Sequence, residues 1–298
     1  MSYTAWILLT AVLVGLSCSL IGVFLILRKM AMMADAISHT VLLGIVTAYL
    51  ITRSLSGVHM LIGAIVAGLL TSILVQWLNN RGVQQDASIG VVFTTLFAIG
   101  VVLISTSVGN VHLDVQHALM GEIAFIPWKT INVPILGEIP EATLLLLVVL
   151  IIVIVAIIAF YKEWKITSFD PALAASLGIP VAAMHYLFMG LVSVTTVASF
   201  DAVGAIMVVA MLITPAASAY LWTDRLLVML GLSGGFGMVS AGIGYGIAVL
   251  LDTSISASMA FATGIIFLLS FLLSPVHGLL GRKLRPPKPI EDAQTAHI

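Results

Sequence analysis

The chain has 298 residues, 61% of them hydrophobic and 8% charged, with a mean hydropathy of +1.20. Soluble domains carry about 25% charged residues, so water is not the main solvent of this chain. A formal net charge of −1 without a broad basic face excludes nucleic acid as a partner, because such binding neutralises many phosphates. The single Cys18 excludes an internal disulfide or a thiolate metal site.

A membrane crossing by a helix needs about 20 mostly apolar residues. The first run, Ala5 to Leu27, is longer than a signal-peptide core and lacks a cleavage site, so it is expected to remain as a span. Eight further runs follow: Ala34 to Ile51, Met60 to Leu78, Ile89 to Val108, Ala142 to Tyr161, Val181 to Ala198, Ala202 to Leu221, Leu226 to Leu251 and Ser256 to Ser274. The expected fold is an all-α integral membrane bundle of about nine transmembrane helices, within a range of about eight to ten. The sixth and seventh runs are separated by little more than Ser199, Phe200 and Asp201, so they read either as two spans or as a broken pair of half-helices. One membrane domain covers residues 1–281, and the polar, Pro-rich segment 282–298 reads as a tail.

Short cytoplasmic loops collect Lys and Arg. With the N-terminus outside, every cationic residue except Arg53 and Lys129 falls on the cytoplasmic side, together with the tail.

Arg28-Lys-Met-Ala-Met-Met-Ala-Asp-Ala-Ile-Ser-His-Thr40 leads from a basic loop into the second span. Asp35 and His39 stand four apart there, which on a helix puts carboxylate and imidazole on one face. Ionisable groups at membrane depth are costly and mark ion paths by default. The spacing fits a cation site; it also fits Asp35 as a helix N-cap with His39 donating to a carbonyl.

The long external connection from Gly109 to Glu141 contains Pro127, Pro134 and Pro140, with room for a short interfacial element near Trp128. His112, Asp114, His117 and Glu122 in it are metal-compatible by composition and would sit at the outer mouth, and a solvated polar loop is the alternative, favoured at least for His112. Between the fifth and sixth spans, the segment Ser168 to Pro180 is expected to form a short helix. Asp170 serves as N-cap, Pro171 sits at the first position, and Gly178 lies just past the end. So short a helix is not stable alone in water, so it must pack against its own bundle or a partner. Asp201 and Asp252, near external helix ends, read as gating or capping residues. Thr214-Pro215 is expected to kink the seventh span. Leu232-Ser-Gly-Gly235 imitates an ATPase signature but sits inside an apolar run; with no Gly-Lys dipeptide there is no phosphate-cradling loop. Gly231, Gly234, Gly235 and Gly237 are read as sites of close helix packing.

These stretches resemble the permeases of the ABC-3 family, metal-import subunits that serve manganese, zinc or iron uptake in bacteria. The resemblance runs along nearly the whole chain. It is carried by Arg28-Lys-Met with Asp35-Ala-Ile-Ser-His39, by Asp114-x-x-His-Ala-Leu-Met-Gly-Glu122, by Phe169-Asp-Pro171, and by Val203 to Ala217 with its Thr-Pro-Ala-Ala ending. It implies a type II-like importer permease without its own ATPase site, in the bacterial cell membrane. ATP would be hydrolysed by a cytoplasmic ATP-binding subunit docked on a coupling helix at about 168–180, through Phe169, Asp170, Pro171, Ala172, Leu173 and Gly178. Asp35 and His39 would line the ion path, the wording of the motifs favouring the manganese branch. Further implied partners are a second permease, identical or closely related, and an extracellular metal-binding lipoprotein; no permanent cofactor is implied, only a transported Mn²⁺, Zn²⁺ or Fe²⁺. A permease for a metal chelate and an ion-gradient-driven secondary metal transporter are the rival readings.

Overall fold

A computed structural model describes residues 3–53, 57–107, 123–133 and 137–279. Among them nine helices are long and apolar enough to cross a membrane. They are α1 (Tyr3–Leu27), α2 (Ala31–Thr52), α3 (Gly57–Asn80), α4 (Gln85–Ser107), α5 (Glu141–Ala159), α8 (Val181–Val203), α9 (Ala205–Trp222), α10 (Leu226–Leu251) and α11 (Ile255–Leu273). Two shorter helices, α6 (Tyr161–Phe169) and α7 (Pro171–Ser176), lie between α5 and α8. The result is an all-α polytopic bundle whose boundaries fall within about a turn of those expected.

The joint between the sixth and seventh spans is not at residues 199–201. Helix α8 runs on through them to Val203, and the break is Gly204, with φ 81° and ψ 164°. That backbone region is open essentially to glycine alone, so the chain turns there and starts a separate full-length helix. Helix α9 continues through the buried Pro215. The expected element near Trp128 is a 3₁₀ turn (Ile123–Trp128), followed by an antiparallel hairpin of β1 (Thr130–Val133) and β2 (Gly137–Pro140). The Lys129 ammonium closes its base on the Glu141 carboxylate at 2.8 Å.

Helix α1 is the central post, packed against α5, α9 and α10. Lipid tails are as apolar as leucine, so helices associate in a bilayer through close backbone approach and buried hydroxyls rather than through apolar burial alone. Both devices are present. Gly22 on α1 sits against the Leu212 carbonyl of α9, Gly15 against Gly237 of α10, and Gly44 of α2 against Gly63 of α3. Hydroxyl pairs bridge Thr10 to Thr143 at 2.7 Å and Thr71 to Thr40 at 2.8 Å, and Ser233 Oγ donates to the Ser19 carbonyl at 2.9 Å. Of the four glycines around Leu232-Ser-Gly-Gly235, Gly234 and Gly237 make close contacts, whereas Gly231 and Gly235 face open space. Glycine content alone does not report which side of a helix is covered.

A Cβ at Gly22 would lie inside the Leu212 carbonyl oxygen, and the obstacle is backbone that cannot rotate away. Gly22→Ala is therefore expected to destabilise the bundle by about 1–3 kcal/mol or more, read as a lower Tm of the purified chain in detergent. Gly90 on α4 has no heavy atom within 4 Å of the Cβ position, and Gly90→Ala should be neutral or raise Tm.

Candidate functional site

Helix α1 ends at the basic turn with Lys29 in the left-handed region (φ 58°); Lys29 N donates to Ile26 O and Met30 N to Leu25 O, satisfying the last carbonyls. Helix α2 then starts at Ala31, a turn earlier than expected, with Met30 at the N-cap and no side-chain cap bond. Asp35 is therefore inside the helix, not its cap, which removes the capping reading. Among the described residues no carbonyl accepts from His39 either. Its Nε2 lies 3.5 Å from Asp35 Oδ1.

Two donors each about 2.1 Å from one ion and spread at a tetrahedral angle stand about 3.4 Å apart. The observed separation already meets that requirement without a rotamer change.

Packing sets the direction of this pair. Met33, Ala34, Ile37, Thr40, Val41 and Gly44 make the buried face of α2, and the Thr40–Thr71 bond and the Gly44–Gly63 contact fix its rotation against α3. Asp35 and His39 are left on the flank, with side chains 39% and 37% exposed. Helix α4 supplies two rings there: Phe93 stacks on the His39 imidazole at 5.7 Å and 27°, and Phe97 meets it edge-on at 5.7 Å and 72°. These rings hold the imidazole beside Asp35. Among the described residues no third His, Cys, Asp or Glu joins the pair, so one chain offers one oxygen and one nitrogen donor on a half-open flank.

The neighbouring basic end carries the second candidate region. Asp170 Oδ1 accepts from Leu173 N at 2.9 Å, capping α7, with Pro171 at its first position. At its other end Gly178 (φ 80°) donates to Ala175 O and Ile179 N to Ala174 O, so the helix is closed at both ends as the residues predict. Phe169, at the end of α6, and Leu173 and Leu177, of α7 and its C-cap, are 59%, 50% and 62% exposed, apolar side chains outside any membrane-length helix. Ala172 and Gly178 are exposed beside them.

What holds this segment to the bundle was not anticipated. Trp164 of α6 is fully buried against Phe24 of α1 and Phe188 of α8, with ring centroids 5.5–6.0 Å apart. Arg28 lies over Phe188 at 4.6 Å and donates to Ser168 Oγ and Thr167 Oγ1 at 3.0 and 3.1 Å. One arginine thus ties the turn leading into Asp35 to the turn leading into Asp170.

Of the other candidates, His112, Asp114, His117 and Glu122 lie outside the described residues. Asp201 falls near the end of α8, and its side chain is likewise outside them. Asp252 ends α10 in the left-handed conformation (φ 50°) with its N–H on Ala248 O, which is the capping reading of the two.

Comparison with known proteins agrees with this layout. A family model described as the ABC 3 transport family matches residues 1–274. The chain is 59% identical to the manganese transport system membrane protein MntD of Bacillus subtilis, over 96% of this chain and 97% of that one. It is 42% identical to the zinc transport system membrane protein TroD of Treponema pallidum, over 94% of this chain and 77% of that one. A solved structure of PsaBC from Streptococcus pneumoniae in complex with Fab superposes with a TM-score of 0.78 at 33% identity, covering 95% of this chain and 96% of that one. A family match along nearly the full length, over a bundle of the same architecture, means that the chain belongs to the ABC 3 transport family and is a multi-pass ABC transporter permease.

Proposed function

We propose that this chain is the permease subunit of an ATP-driven importer of a divalent transition-metal ion, manganese first and zinc or iron second. The observation that carries the proposal is the Asp35–His39 pair, preset at 3.5 Å on a membrane-length helix. Mixed oxygen and nitrogen donors without thiolate suit these ions. The roles of the relatives, manganese transport for MntD and zinc transport for TroD, support the same cargo class, and the higher identity to MntD favours manganese.

Two copies of this permease, or this chain and a close relative, would face each other across a two-fold axis. Each would contribute its half-open pair, so that two carboxylates offset the charge of the ion and two imidazoles complete the set. The chain would sit in the bacterial plasma membrane with its N-terminus outside, which places α6 and α7 in the cytoplasm. An ATP-binding subunit would hydrolyse the nucleotide and dock on residues 168–180, and an extracellular metal-binding lipoprotein would deliver the ion. Asp114, His117 and Glu122 would receive it at the mouth, with Asp201 as a gate residue. Nucleotide acts by binding one access state better than the other. Residues 1–281 would form the permease domain and 282–298 its cytoplasmic tail.

Metal accumulation measured by mass spectrometry, in cells with and without the gene and across Mn²⁺, Zn²⁺ and Fe²⁺, tests the cargo. A gene-dependent rise in one free ion is expected. A rise only with chelated metal would favour the chelate reading, and transport by the chain alone in proteoliposomes under an ion gradient would favour a secondary transporter.

The rings around His39 make a subtler prediction. Phe93→Ala frees the imidazole to leave Asp35 without removing a donor. The ion concentration for half-maximal uptake should rise about tenfold, within the range that groups orienting a ligand contribute, with membrane abundance unchanged. Phe93→Tyr, which keeps the stacked ring, should restore most of the loss.

A further inference from the structure

At the end of the bundle where α1 and α3 finish, a cavity of about 340 Å³ opens between the α1–α2 turn, the last turn of α3 and the α6–α7 junction. Arg28, Lys29, Gln76, Asn79, Ser168 and His185 are among its polar lining residues. A water molecule takes up about 30 Å³, so the space holds a group several times larger.

The charge balance of this cavity is one-sided. Among the described residues the Arg28 side chain bonds only to the neutral hydroxyls of Ser168 and Thr167 and rests on the ring of Phe188. Among the described residues no carboxylate pairs with Arg28 or Lys29. Burial pushes the Arg28 guanidinium down to about 10, which still leaves it cationic at neutral pH. His185 Nε2, in the same lining, is buried without a hydrogen-bond partner among the described residues. A desolvated cation without an anion and an orphaned ring nitrogen are both unfavourable alone, and one multi-oxygen anion would satisfy both.

We propose that this cavity binds a phosphate group. Several acceptor oxygens in a tetrahedral array can be reached at once from Arg28, Lys29 and His185. The bilayer supplies such groups near this level, since the membrane-length helix α1 ends at Leu27 and both Leu27 and Arg28 line the cavity. Basic pockets at the cytoplasmic ends of transmembrane helices bind anionic headgroups by this chemistry. The headgroup of an anionic phospholipid is therefore the favoured source, and free phosphate the other. A bound phosphate would join the turn before Asp35 to the turn before Asp170, reinforcing the link that Arg28 makes. The inference does not depend on which ion the permease carries.

Native mass spectrometry on the purified, delipidated full chain tests it, with phosphatidylglycerol, phosphatidylcholine and inorganic phosphate as probes. Phosphatidylglycerol should saturate at one strong adduct per chain and exceed phosphatidylcholine. Arg28→Gln should weaken it about tenfold or more, the size of one charge-assisted hydrogen bond. Lys29→Gln, on an exposed turn that does not hold the fold, should weaken it several-fold, while Lys165→Gln on α6 should not. Inorganic phosphate binding with the same dependence on Arg28 and Lys29 assigns the site to the soluble anion instead of the lipid. The proposal is overturned if neither phosphate source saturates, or if Lys165→Gln weakens binding as much as Lys29→Gln. Loss of the adduct when an ATP-binding subunit is assembled on the chain would assign the cavity to a protein contact and overturn it equally.

Discussion

Asp35→Ala and His39→Ala should each reduce metal accumulation to background while leaving the permease in the membrane. Neither side chain contributes to the buried face of α2, and both are more than a third exposed, so their removal costs the fold little. The ion loses much more. Groups that merely orient a ligand are worth about 10–100-fold in metal affinity, so loss of a ligand itself should exceed about a hundredfold. In a homodimer each single substitution removes two of the four donors; in a heterodimer it removes one, and residual uptake would report that difference.

The two residues fail for different reasons, and conservative variants separate them. Asp35→Asn keeps the shape and one oxygen but removes the charge that offsets a divalent ion in a low-dielectric surround, where uncompensated charge is costliest. It should be as inactive as Asp35→Ala. His39→Gln keeps a neutral donor of lower affinity and should retain a small fraction of uptake. Uptake at the level of the unaltered chain in Asp35→Ala and His39→Ala, at equal abundance, would show that the pair is not on the ion path.

The spans and this pair were legible because each rests on a local rule. Twenty apolar residues have no alternative to a membrane helix, and an i, i+4 spacing fixes one face wherever the helix lies. Contacts that join distant segments were not legible. Nothing near Lys162-Glu-Trp-Lys165 marks Trp164 as a fully buried residue, because its pocket is built from Phe24 and Phe188 on two other helices. The stacking of Phe93 on His39 has the same origin: an apolar run such as α4 gives no sign of which row faces α2. The joint at Gly204 was hidden by composition of another kind. The polar residues Ser199 and Asp201 suggested a break between the two runs, yet buried serines such as Ser199, which accepts from the Cys18 thiol at 3.4 Å, are ordinary inside this bundle. Backbone conformation at one glycine, not polarity, ends the helix.

Leu173→Asp should abolish both uptake and co-purification with the ATP-binding subunit, without lowering the Tm of the permease. Phe169, Leu173 and Leu177 are each at least half exposed, while α7 is anchored from behind by the buried Ala174 and held at both ends by its caps. Its apolar side chains therefore add little to the chain's own core and remain available for a partner. Burying one leucine in an interface contributes about 1.5–3 kcal/mol, and an aspartate in its place adds the cost of a desolvated, unpaired charge. Together these should weaken docking by more than about a thousandfold. Asp170→Ala is the informative contrast. It removes only the cap bond to Leu173, worth about 1 kcal/mol, so docking should weaken roughly fivefold through loosening of the helix, with the apolar surface intact. A Leu173→Asp permease that still co-purifies with its ATPase and accumulates metal would place the drive for transport somewhere other than α7.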